Sequence, residues 1–93
     1  MQYEILTKQG NNYIVSDDSA WLWISLEREL GYTMPQAAQK MADGSLEVIT
    51  WILHKAALDA KKTELKTHKS WVEHEFESFK VVEEDPKAGK AEA

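Results

Sequence analysis

Between Ser45 and Ala60 the chain sets Leu46, Val48, Ile49, Trp51, Ile52 and Leu53 so close together that, on a helix, they point to nearly every side of the axis. A helix that is apolar all round has no face to give to water, so other elements must wrap it. Asp43-Gly44-Ser45 ahead of it breaks the preceding element and offers a side-chain oxygen to the first free N–H groups. The segment from Leu46 to about Ala60 is therefore expected to be a helix at the centre of the core.

The rest of a 93-residue chain has to supply the wrapping, and a chain of that size has room for one core only. Tyr3 and Ile5, then Tyr13, Ile14 and Val15, flank Gln9-Gly10-Asn11-Asn12. Gly and Asn reach the positive φ of a tight turn, so a short β-hairpin is expected at the start. A two-stranded hairpin alone is marginal in water, and this one has to lie on the helices or pair with another strand.

Asp17, Asp18 and Ser19 can cap a first helix that runs to Leu30, with Gly31 placed to close it in the left-handed conformation. Ala20, Trp23, Leu26 and Leu30 recur at three- and four-residue intervals and are expected to face inward together, leaving Trp21 and Leu22 off the stripe. Thr33 with Gln36 is a capping-box pattern, and Pro35 fits the first turn of a short second helix over Met34, Ala37, Ala38 and Met41. After the central helix comes a basic connector with Lys61, Lys62, Lys66 and Lys69. Ser70 and Glu73 form another capping-box pattern, and Val72, Phe76 and Phe79 fall on one line of a fourth helix, with Trp71 at its rim.

From Glu83 the sequence turns acidic, with Pro86, Gly89 and small residues, which predicts a solvated tail over 83–93 behind a single domain over 1–82. The expected fold is thus mainly α within the α+β class: a short N-terminal hairpin, a compact bundle of about four helices, and a disordered acidic tail.

Composition narrows the chemistry. A net charge of -5 and a single arginine, Arg28, make nucleic acid a poor partner. The absence of cysteine removes disulfides, thiolate metal sites and cysteine nucleophiles. The longest apolar runs fall far short of the roughly 20 residues that span a bilayer, and no leader pattern opens the chain, so a cytoplasmic protein away from membranes is expected.

His54, His68 and His74 are never three or four residues apart, so no helix face offers two imidazoles to one metal. Glu73, Glu75, Glu77, Glu83 and Glu84 read as a charged face and tail, since a general acid needs a carboxyl held in an apolar pocket. With no nucleophile elbow and no phosphate-binding glycine loop, neither an enzyme nor a cofactor is expected. The segment Thr33 to Ala57 has the outline of a helix-turn-helix, but its second helix begins Leu46-Glu47-Val48-Ile49, where base-reading side chains should stand.

Four tryptophans are many for this length. Trp23 and Trp51 are expected in the core, while Trp21, Trp71, Phe76 and Phe79 are the candidate partner-binding residues.

Two blocks carry a family resemblance: Leu46-Glu47-Val48-Ile49-Thr50-Trp51-Ile52-Leu53-His54-Lys55-Ala56, and the closing Phe76-Glu77-Ser78-Phe79-Lys80-Val81-Val82-Glu83-Glu84-Asp85-Pro86. In these two blocks the chain resembles the tail assembly chaperones of long-tailed bacteriophages, over about the C-terminal half of its length. The resemblance implies a small non-enzymatic scaffold in the host cytoplasm. Such a scaffold binds the long, helix-rich tape measure protein while tail tube protein polymerises around it, and is absent from the finished virion. It also implies a longer form made by ribosomal frameshifting, for which Pro86 to Ala93 would serve as a linker. Self-association through a hairpin edge or off-stripe aromatics is a further expectation. The competing classes are a small helix-turn-helix regulator and a virion structural or head–tail connector protein.

Overall fold

A computed structural model describes residues 1–82; the expected tail, 83–93, lies outside the described residues. The elements follow in the order β1 (Gln2–Thr7), β2 (Tyr13–Ser16), α1 (Ala20–Leu30), α2 (Met34–Ala42), α3 (Leu46–Asp59), α4 (His68–His74) and β3 (Phe76–Val82). The three strands form one antiparallel sheet in the order β2-β1-β3, so the domain is α+β, with four helices among the described residues.

α3 is the buried centre. Ser45 caps it by accepting from the Val48 N–H at 3.4 Å, and Val48, Trp51, Ile52, Leu53, Ala56 and Ala57 are all buried along it. Its exposed start is Leu46, which is 67% accessible.

The sheet covers α3 with one face. Tyr3, Ile5 and Thr7 of β1 are buried, and Gln2, Glu4 and Leu6 between them are only half-buried on the outer face, the period-two pattern of a sheet with one dry side. On β2, Val15 and Tyr13 stand opposite Tyr3 and Ile5 on the dry side, while Ile14 faces out. Thr7 organises the intervening turn: its hydroxyl donates to the Asn11 carbonyl at 3.0 Å and accepts from the Asn11 N–H at 2.8 Å, while Gly10 takes φ 84°.

The segment expected to continue as a fourth helix is instead strand β3. α4 stops at His74, and Phe76–Val82 pairs along the open edge of β1. Three residues separate Phe76 from Phe79, a spacing that puts them on one side of a helix and on opposite sides of a regular strand. A bulge resolves this: Leu6 faces Ser78 and Thr7 faces Phe76, leaving Glu77 unopposed, so both phenylalanines reach the dry face. Val81 and Val82, β-branched and suited to a strand, complete it opposite Tyr3 and Gln2. The third strand also supplies the pairing partner that the hairpin lacked.

α4 starts at His68 rather than Ser70, capped by Thr67, whose hydroxyl accepts from the Ser70 N–H at 3.2 Å. Its carbonyls are satisfied from the β1–β2 turn. Lys8 Nζ donates to the Glu73 carbonyl, Gln9 Nε2 to the His74 carbonyl and the Lys8 N–H to the Glu75 carbonyl, each at 2.8 Å.

α1 is rotated from its expected orientation. Leu22 and Leu26, one turn apart, are fully buried with Ser25 between them, while Ala20 is exposed and Trp23 half-buried. Trp23 stands at the border because its indole Nε1 donates to the Asp17 carbonyl at 2.7 Å, a polar anchor at the surface end of the helix. The same Asp17 accepts from the Tyr3 hydroxyl at 3.0 Å, joining β1 to the start of α1. α1 ends as expected, with Gly31 at φ 79° donating its N–H to the Glu27 carbonyl. α2 opens with Gln36 Oε1 accepting from the Thr33 N–H at 2.9 Å.

Candidate partner-binding groove

Three strands are more than α3 can cover. It packs over the β2 side of the sheet, while the short α4 packs against β3. Phe76 and Phe79 are only half-buried there, and Val81, although it faces inward, remains 48% accessible.

The gap is an apolar groove of about 290 Å³. Tyr3, Phe79 and Val81 form the sheet wall, and Ile49 and Ile52 of α3 with Met41 of α2 form the helical wall. A second cleft of about 450 Å³ adjoins α4, with Leu46 and Thr50 on one side and Val72 and Phe76 on the other. Phe76 lines this cleft and Phe79 lines the groove, with ring centroids 6.5 Å apart, so the two hollows flank this aromatic pair on β3.

The sequence-predicted residues divide. Phe76 and Phe79 come together and line the hollows, although on a strand rather than a helix. Trp71, expected at a rim, is completely buried; its ring lies 5.1 Å from Phe76 and 5.4 Å from His54, and so it supports the groove from beneath. Trp21 is 52% accessible on α1, outside the groove lining, with the Arg28 guanidinium 5.6 Å from its ring centre. Sequence reading missed Met41, Ile49 and Val81. The one available signal was α3 itself, whose ring of apolar side chains exceeds what a single packed face requires.

Behind the groove is a polar layer. The Thr50 hydroxyl donates to the Leu46 carbonyl at 2.6 Å, so His68 Nε2, 2.7 Å from the same oxygen, must be the donor to it. His54 Nε2 donates to the Leu65 carbonyl at 2.7 Å, holding the 60–67 connector against α3. The two imidazoles stack at 6.2 Å, and burial lowers both below the ordinary histidine value. Their neutral form suits a structural clamp. Among the described residues, no three His, Cys, Asp or Glu side chains come close enough to hold a metal ion together, and no helix is long and apolar enough to cross a membrane.

The Glu75 carboxylate accepts from two hydroxyls, Tyr13 on one oxygen and Thr63 at 2.9 Å on the other. Burial, reinforced by this carboxylate, pushes the Tyr13 hydroxyl well above the usual phenol range. The arrangement joins β2, the 60–67 connector and the turn between α4 and β3. Compared with known proteins, the chain matches no family model, no curated protein and no solved structure.

Proposed function

We propose that this protein is a non-enzymatic assembly chaperone of a long-tailed bacteriophage. It holds an apolar segment of the tape measure protein until tail tube protein polymerises around that client, works in the host cytoplasm and is left out of the virion. One observation carries the proposal: two apolar hollows flank the Phe76–Phe79 pair of β3, and Met41, Ile49, Val72 and Val81 in their lining stay partly or largely accessible. Contiguous exposed apolar surface on a small protein marks an interaction site. A chaperone also has to be displaced later, which suits an open hollow better than an enclosed pocket.

The helix-turn-helix alternative is disfavoured by α3, whose Val48, Trp51, Ile52 and Leu53 are spent on the core and cannot enter a DNA groove. Co-expression with the tape measure protein tests the proposal. Its soluble yield is expected to rise several-fold with the wild-type chain and to fall back with Val81→Asp. An unchanged yield would overturn the proposal. Detection of the chain in purified particles would favour the connector reading, and retardation of DNA at low salt would favour the regulator.

A further inference from the structure

Resting on the reading of the β3 hollow as a docking site, we infer that its occupant is a basic amphipathic α-helix of the partner. The shape argues for a helix. One wall is the dry face of a sheet and the other is the flank of α3, and the missing element over β3 is a helix packed on both, in the layering that such sheets adopt.

The sign of the charge comes from the rim. Glu47 and Glu73 border the cleft, and exposed Glu77 sits at the bulge between the two phenylalanine positions. Lys69 also borders the cleft but lies 4.0 Å from Glu73, Lys80 lies on the outer sheet face 3.8 Å from Glu4, and the ammonium of groove-lining Met1 is held by Asp17 and Asp18 at 3.0 and 2.9 Å. An apolar floor with an acidic margin selects apolar residues on one helix face and Lys or Arg beside them.

Two other occupants fit less well. A second copy in a two-fold contact would bring the same acidic margin against itself. The residues that follow Val82 in this sequence, apart from Pro86, contain no apolar side chain larger than alanine, so they cannot fill the hollow.

The test uses the full chain and three fluorescein-labelled synthetic peptides of about 18 residues, five helical turns. One has a leucine face flanked by lysines, the second the same face flanked by glutamates, and the third is the lysine peptide scrambled to remove the face. The lysine helix is expected to bind at least about tenfold more tightly than either other peptide at low salt, with the preference shrinking as salt is raised. Glu47→Lys with Glu77→Lys should invert the charge preference, and Val81→Gln should weaken the lysine helix, with circular dichroism confirming that both variants fold. Equal affinity for lysine and glutamate helices, or for the scrambled peptide, overturns the proposal. So does self-association that Val81→Gln abolishes, since that assigns the groove to a second copy. If the lysine helix binds as expected while co-expression leaves the tape measure protein insoluble, the client is wrong and the docking chemistry stands. If co-expression succeeds and no peptide binds, the docking chemistry fails and the chaperone reading survives.

Discussion

The indole Nε1 of Trp71 donates to the hydroxyl of Tyr13 at 3.1 Å, and that hydroxyl donates onward to Glu75. A fully buried tryptophan thereby finds its polar partner on a strand 58 residues earlier in the chain. Tyr13→Phe keeps the ring and removes the oxygen, leaving the Trp71 N–H unpaired where water does not reach. The expected cost is about 2 kcal/mol of folding stability, read as a lower denaturation midpoint at unchanged slope. A loss below about 0.5 kcal/mol would mean that water replaces the hydroxyl.

The histidine pair predicts acid sensitivity. His54 and His68 are lowered in the folded state, in both cases chiefly by burial; for His68 the neighbouring His54 adds to it. Glu75 near His54 and Glu47 near His68 pull the other way, and Lys55 adds to the lowering of His54. Because the unfolded chain binds protons that the folded one refuses, stability is full above the ordinary histidine value and declines as pH falls below about 6.5. Each such imidazole adds up to about 1.4 kcal/mol per pH unit to that decline. Denaturation midpoints at pH 7.5, 6.5 and about 5.5 should therefore fall in order, and His54→Gln should flatten the trend. Stability that stays level across this window would exclude the clamp.

The bulge makes a prediction that a helix would not. Deleting Glu77 restores a regular strand in which Phe76 still faces Thr7 and stands two residues from Phe79, so both rings keep the dry face and the loss should stay below about 1 kcal/mol. Phe76→Ala, which removes the ring 5.1 Å from Trp71, should cost about 2–3 kcal/mol from lost burial. On a helix the same deletion would turn Phe76 by about 100° relative to Phe79. A deletion as costly as Phe76→Ala would exclude the bulge.

Much of this architecture was legible in the sequence. The capping signals around Thr33 and Ser45, Gly31 past the end of α1, and the all-round apolar run of α3 are local features, and local features are visible in consecutive residues. The candidate site was half legible. Phe76 and Phe79 stood out as aromatics, but Met41, Ile49 and Val81 become a wall only when α2, α3 and β3 are brought around one gap.

What the chain determined by itself was its central helix, the limits of α1 and α2, and the all-round apolar character of α3, because these depend on residue type and short spacing. Tertiary structure decided the rest. The open edge of β1 drew Phe76–Val82 out of a helical spacing into a bulged strand, since an unpaired row of backbone groups next to a dry face is costly. That one pairing buried Trp71 beneath Phe76 and left Phe79 and Val81 at the lip of a groove.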